Sequence, residues 1–139
     1  MKIRHLLLAF IATIVPPGFG WQADELDDLF HAICQVESSG NPKAHHKGED
    51  SRGIVQIRAI MVKDINRILG EDRYTHDDAW CVKKSREMFD IYRLHYHPDG
   101  DAERIARCWN GGPKGHRKQA TLPYWRKIQA ALKKSPAPA

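Results

Sequence analysis

Apolar residues recur at helical spacing in five short stretches, and glycine or proline cuts each one off within about four turns. A chain punctuated in this way can fold into a bundle of short helices and into little else. The first stretch runs from Asp24 to Glu37, with Leu26, Leu29, Phe30 and Ile33 on one stripe. Acids crowd its start, where the helix dipole favours them, and Ser38-Ser39-Gly40-Asn41-Pro42 stops it. Residues 43–53 are polar and glycine-bearing and read as a loop or small hairpin. Ile54, Ile57, Met61, Ile65 and Ile68 then predict a second helix ending near Gly70. A third begins at Thr75, where Thr75 and Asp78 form a capping pair, and passes through Cys81, Ser85, Met88, Tyr92 and His95 to Pro98-Asp99-Gly100. The fourth covers Asp101 to Trp109 before Gly111-Gly112-Pro113, and the fifth runs from Thr121-Leu122-Pro123 to about Lys133. The expected fold is mostly α, with about five helices around a small loop or hairpin region.

With 139 residues there is room for one domain, and 42% hydrophobic against 28% charged residues excludes a disordered or fibrous chain. The first twenty residues stand apart. Lys2, Arg4 and His5 precede an apolar run from Leu6 to Val15, and Pro16-Pro17-Gly18-Phe19-Gly20 breaks it, which is the layout of a secretory signal peptide cleaved after Gly20. The run is too short for a membrane span of ~20 residues. The expected organisation is therefore a leader over 1–20, one domain over 21–134, and a disordered tail over 135–139, in a secreted or periplasmic protein with no membrane association beyond export. Formal net charge is +5, falling to +3 without the leader's two bases, so any acidic partner is attracted only modestly. No motif for reading bases or phosphates accompanies that charge, which sets nucleic acid aside.

Cys34, Cys81 and Cys108 make an odd count for an oxidising compartment; one pair plus one leftover is the plain reading, and three free thiols the alternative. CxxC and HExxH are absent, so His45-His46 and His95-x-His97 read as solvated histidines, and no metal or other cofactor is expected.

Glu37 is the most informative acid. It closes the first helix, directly after apolar Val36 and before the turn at Ser38-Ser39-Gly40. A carboxylate at the negative end of a helix dipole, partly buried against an apolar stripe, is disfavoured on both counts, so its pKa should rise. A raised carboxyl pKa is what a general acid needs to protonate a glycosidic oxygen near neutral pH.

Glu37-Ser38-Ser39-Gly40-Asn41-Pro42, followed nineteen positions after the acid by Gln56 within Gly53-Ile54-Val55-Gln56-Ile57, resembles the Glu-Ser and Gly-Leu-Met-Gln signatures of lytic transglycosylases. Ala106-Arg107-Cys108-Trp109-Asn110-Gly111-Gly112-Pro113, with Thr121 and Tyr124-Trp125, is similar to the Asn-Gly-Gly-Pro and Tyr-Trp segment of invertebrate-type lysozymes. It also occupies the place of the transglycosylase Ala-Tyr-Asn motif. The three segments stand in the family's order over about Leu29 to Ile128, and on them the chain resembles the lysozyme-like superfamily.

That resemblance implies a lysozyme-like α+β fold with a glycan cleft, Glu37 as catalytic acid/base, and peptidoglycan glycan strands as the partner. By the same carry-over Ser51, Gln56, Ile57, Trp109, Asn110 and Gly111 contact substrate. Trp109 stands where transglycosylases have Tyr, so that Tyr's hydroxyl is missing; Trp109 fits the core as well as it fits the cleft. Tyr124 and Trp125 read as packing residues. The second catalytic Asp of invertebrate-type lysozymes has no counterpart: His46 falls at its place, and other lysozymes keep an Asp where this chain has Ser51. Asp50 is one residue off, which in a hairpin turns the side chain to the opposite face, and Glu49 is no better placed. The dense cysteine framework of those lysozymes is missing too.

Hydrolysis with retention or inversion uses a second carboxyl, whereas transglycosylation takes its nucleophile from the muramic acid's own 6-hydroxyl and needs one. The expectation is therefore a lytic transglycosylase, with a hydrolase using Glu37 plus Asp50 or Glu49 as the alternative and a non-catalytic glycan-binding module as a third. Arg52, Arg58, Lys114, Arg117 and Lys118 are expected near the cleft, and the protein is expected to act as a monomer. Wall remodelling, a secretion or phage apparatus, digestion and killing of competitors all remain open as its setting.

Overall fold

The computed structural model describes residues 23–134. The leader expected over 1–20 and the tail over 135–139 fall outside the described residues. Five α-helices lie among them: α1 (Ala23–Ser38), α2 (Ala59–Leu69), α3 (Val82–Tyr96), α4 (Ala102–Gly111) and α5 (Leu122–Leu132). Between α1 and α2 lies an antiparallel hairpin, β1 (His45–His46) and β2 (Ser51–Arg52), with His45 opposite Arg52 and His46 opposite Ser51. None of these helices is long and apolar enough to cross a membrane.

The sequence stripes meet in one core. Leu29 and Ile33 of α1, Ile65 of α2, Met88 and Phe89 of α3 and Ile128 of α5 are all fully buried. α1 packs chiefly on α5 and also on α4, while α2 leans on α3. Phe89 bridges the layers, its ring 5.3 Å from Phe30 and 5.2 Å from Trp109. Cutting any one of these side chains to Ala costs about 2–5 kcal/mol in comparable cores.

Two helix boundaries differ from the expected ones. Ile54 and Ile57 precede α2 in a tight turn, with Gly53 at φ 79° and Gln56 at φ 53°, and only the Met61–Ile65–Ile68 part of the stripe is helical. The turn buries Val55 and Ile57 completely and packs half-buried Ile54 against the core, so the apolar residues of this segment are covered without a helix. The Thr75–Asp78 capping box exists, but it caps a short 3-10 turn over His76–Trp80; α3 starts afresh after Cys81. All three cysteines are free, so the expected single pair is not formed; Cys34 and Cys108 are buried and Cys81 is exposed.

Candidate active site

The site begins where α1 ends. Ser39 and Gly40 adopt left-handed conformations, at φ 53° and 75°, and their N–H groups close on the carbonyls of Gln35 and Cys34. This stop turns the chain sharply just after Glu37. Ser38 secures the corner by donating its hydroxyl to the Cys34 carbonyl at 3.1 Å and the Ile54 carbonyl at 2.7 Å, joining the helix end to the Gly53–Ile57 turn.

That turn is held by its own side chains. Gln56 Nε2 donates to the carbonyls of Ala44 (3.0 Å) and Gly53 (2.9 Å), and its Oε1 accepts from Ser51 Oγ at 2.8 Å. Both amide hydrogens are thus engaged within the protein, so Gln56 holds the cleft floor in shape and offers a substrate only an acceptor lone pair. Gly53 is required here: besides its positive φ, a Cβ at this position would collide with the Ala79 carbonyl.

The far wall comes from α4. Trp109 is buried, donates its indole N–H to the Val55 carbonyl at 3.1 Å and stands edge-on to Phe89 and Tyr92. It serves core and cleft together. Asn110 is exposed beside it. Glu37, His46, Glu49, Ser51, Gln56, Arg58, Met61, Trp109 and Asn110 line a cleft of about 350 Å³.

Within this cleft Glu37 has a pKa raised to about 7, and burial is the main cause. The negative charge of Glu49 pushes the same way, while the Arg58 and Lys127 charges oppose it. The strongest opposing contact is a hydrogen bond of 2.8 Å from Tyr124 Oη to Glu37 Oε1. Tyr124 sits in the first turn of α5, is buried, and has its own pKa driven well above the ordinary value, so the phenol stays a donor. Sequence reasoning assigned Tyr124 to packing, because a hydroxyl partner 87 residues away leaves no local trace.

Three residues expected to touch substrate are elsewhere. Asp50 does not line the cleft; it accepts from Arg52 Nε (3.0 Å) and Nη2 (2.9 Å) and pairs with His45 Nε2 at 2.7 Å. Arg52 in turn reaches Asp77 at 2.7 Å, so Asp50 belongs to a solvent-exposed ion network, and its hydrogen bonds to Arg52 and His45 lower its pKa. The Ile57 side chain is fully buried, and its carbonyl is taken by Arg52 N–H at 3.0 Å, with a His76 ring nitrogen at 2.9 Å. Gly111 lies off the cleft because it packs on Thr121, whose methyl occupies the space a Cβ would need. Of the five bases expected near the cleft, Arg58 lines it. Arg52 is engaged with Asp50, and the Lys118 ammonium is engaged with the Gly111 carbonyl at 2.6 Å.

A larger open groove of about 660 Å³ runs between α2 and residues 70–76, but its acids, Glu71 and Asp72, are exposed, and no carboxyl there is buried against apolar surface. Glu37, with its raised pKa, is therefore the candidate acid.

A helical domain with a short hairpin, and a half-buried acid at the end of its first helix, defines the lysozyme-like class. Residues 20–132 match the Transglycosylase SLT domain family, and the chain belongs to that family. It is 33% identical over 104 residues to "Lysozyme 1" of Crassostrea virginica, an alignment covering 70% of this chain and 55% of that protein, so the chain spans about half the length of that relative. "Invertebrate-type lysozyme 2" of Caenorhabditis elegans is 26% identical over 94% of this chain and 96% of its own length. "Invertebrate-type lysozyme 6" of the same nematode is 30% identical, covering 73% of this chain and 83% of that protein. Among solved structures, a chain from the complex of Aeromonas hydrophila PliI with Meretrix lusoria lysozyme superposes with a TM-score of 0.65 at 25% identity, covering 86% of this chain and 94% of that one.

Proposed function

We propose that the protein is a secreted or periplasmic enzyme that cleaves the β-1,4 bond between N-acetylmuramic acid and N-acetylglucosamine in peptidoglycan, as a lytic transglycosylase. The lysozyme names of its relatives and its family membership support the substrate class. The observation that carries the transglycosylase reading is the pairing of one half-buried acid, Glu37 with its pKa near 7, with a hairpin whose Asp50 is engaged away from the cleft.

In this reaction the Glu37 carboxyl proton passes to the glycosidic oxygen as the bond from that oxygen to C1 of the muramic acid breaks. The muramic acid's C6 hydroxyl oxygen then bonds to C1, and its proton returns to the Glu37 carboxylate. No water is consumed and the acid is restored. Tyr124 holds the carboxylate by its hydrogen bond, and Gln56 and Trp109 fix the walls between which the sugar lies.

A hydrolytic reading is favoured by one specific observation: Glu49 lines the same cleft and its charge is felt at Glu37. Digesting peptidoglycan and weighing the released muropeptides separates the two. Anhydro ends, one water lighter than reducing ends, are expected from the native protein and none from Glu37→Gln. Reducing ends that disappear in Glu49→Gln would replace the transglycosylase with a hydrolase, and absence of any product across about pH 4–8 would leave a glycan-binding module.

A further inference from the structure

Away from the cleft, three potential metal ligands converge from three different segments. His97 caps the C-terminus of α3, Cys108 lies in α4, and His116 lies in the 3-10 turn Gly115–Arg117. One donor atom from each falls within 4.8 Å of the other two. Cys108 Sγ is 3.2 Å from His116 Nδ1, and the His97 and His116 rings are 5.4 Å apart. We propose that His97, Cys108 and His116 form a binding site for a thiophilic divalent cation of the Zn2+ type.

The geometry is close to what such an ion requires. Around tetrahedral Zn2+, with bonds of about 2.3 Å to sulfur and 2.0–2.1 Å to nitrogen, ligand atoms stand roughly 3.4–3.6 Å apart. The Cys108–His116 pair, at 3.2 Å, needs to open by only a few tenths of an ångström, and movements of about an ångström bring in His97. The Pro113 carbonyl oxygen lies 3.0 Å from His97 Nε2 and 3.5 Å from Cys108 Sγ, so it borders the fourth position, which it or a water fills.

The chemistry of the donors agrees. Burial, together with the Arg104 charge, lowers the pKa of both imidazoles, so at neutral pH each ring is neutral and keeps one lone pair; in His97 it lies on Nδ1, because Nε2–H donates to the Pro113 carbonyl, and binding through Nε2 needs that hydrogen to move to Nδ1. Burial raises that of the Cys108 thiol, and the cation supplies the counter-charge that water cannot; on binding, the thiol proton leaves to solvent. Arg104 opposes the site. Its Nη2 donates to His116 Nε2 at 3.3 Å, which fixes the remaining hydrogen of the neutral ring on Nδ1, the atom that must face the metal. Arg104 is exposed and can swing away, after which the hydrogen moves to Nε2.

A cation here would clip the end of α3 to the 112–118 loop, directly behind the helix that carries Trp109 and Asn110. Its role is to brace that wall from behind, and it takes no part in bond cleavage.

The test is a Co2+ titration of the purified, chelator-treated protein, followed by back-titration with Zn2+. The expected result is one equivalent of Co2+ giving a thiolate-to-cobalt charge-transfer band with the intense visible bands of a tetrahedral site, bleached by one equivalent of Zn2+. Cys108→Ser should abolish the charge-transfer band, and His116→Gln should weaken affinity at least tenfold. Arg104→Ala should bind more tightly than the native protein, a result no nonspecific thiol would give. Cys81→Ser, which removes the exposed thiol, should leave the spectrum intact. Circular dichroism of each variant separates lost ligation from lost folding, and His97→Gln is a second ligand variant at a half-buried position. A band that follows Cys81, or no charge-transfer band at equimolar micromolar protein and metal, overturns the site.

Discussion

Tyr124→Phe tests whether the cleft tunes Glu37 as described. The substitution deletes one oxygen and keeps the ring in the core, so its direct effect is loss of the 2.8 Å hydrogen bond to Glu37 Oε1. A hydrogen bond to a charged group contributes about 1.5–3 kcal/mol, and a shift of one pH unit corresponds to about 1.4 kcal/mol. Complete loss would thus raise the Glu37 pKa by roughly one to two units, and water entering from the open cleft recovers part of that, leaving about one. The acid is the protonated form, so the basic limb of the kcat/KM profile for peptidoglycan cleavage, expected near pH 7 in the native protein, should move to higher pH. At pH 8 the protonated fraction should rise about fivefold, from roughly a tenth to a half. The assay is initial-rate release of soluble muropeptides between about pH 5 and 9, with the thermal midpoint as a folding control. A basic limb that stays in place, or moves to lower pH, in a folded variant would refute the assignment of Tyr124 as the positioning residue for Glu37.

Glu37→Gln should abolish cleavage and also stabilise the fold in a pH-dependent way. Because the folded pKa of about 7 exceeds the ordinary carboxyl value of 4.5, the unfolded chain releases this proton first. The native fold therefore loses stability from about pH 4.5 to about pH 7 and stays lower above that, by at most about 3 kcal/mol. Urea unfolding should show the variant near native stability at pH 4 and more stable at pH 8; an equal difference at both pH values contradicts this. Asp50→Asn should leave the cleavage rate within about threefold, because its partners are Arg52 and His45 and exposed pairs contribute about 0–1 kcal/mol; a hundredfold loss would return Asp50 to the chemistry. Gly53→Ala should destabilise the protein by more than about 3 kcal/mol, since it combines a positive φ with a collision against the Ala79 carbonyl, and a neutral result in denaturant unfolding would refute the tight-turn argument.

The raised pKa of Glu37 was legible because its evidence is local: an apolar stripe, a helix end and a stop lie within a few residues of it. The helices were legible for the same reason, and their stripes are the core. What escaped the sequence depends on pairing across long separations. Tyr124 looks like any aromatic residue on a helix face until α5 is laid against α1, and only then does its hydroxyl meet Glu37. His97, Cys108 and His116 have spacings of no known ligand motif, and α3, α4 and the following loop must be folded before they share a point. The Ile54–Ile57 segment misled in the other direction, since apolar residues three apart fit a buried turn as well as a helix when Gly53 and Gln56 take positive φ.

In the proposed transglycosylase, the value near 7 bears directly on how one carboxyl would serve two steps. A strong acid would protonate the leaving oxygen readily and then be too weak a base to accept the C6 hydroxyl proton; a much weaker acid would have the reverse fault. Burial at the end of α1 raises the pKa, the Glu49 charge adds to it, and the Tyr124 hydroxyl holds it in check, so the two protonation states are nearly balanced at neutral pH. Glu49→Gln isolates the charge contribution. If Glu49 acts on Glu37 only through its field, removing it should lower the Glu37 pKa, move the basic limb to lower pH, and leave the products anhydro. If Glu49 instead activates water, cleavage should collapse at every pH, because the field of Glu49 is lost in either case but the base is lost only in this one. The surviving rate and its anhydro products, with the limb moved to lower pH, therefore decide whether the second carboxyl in the cleft is a neighbour or a participant.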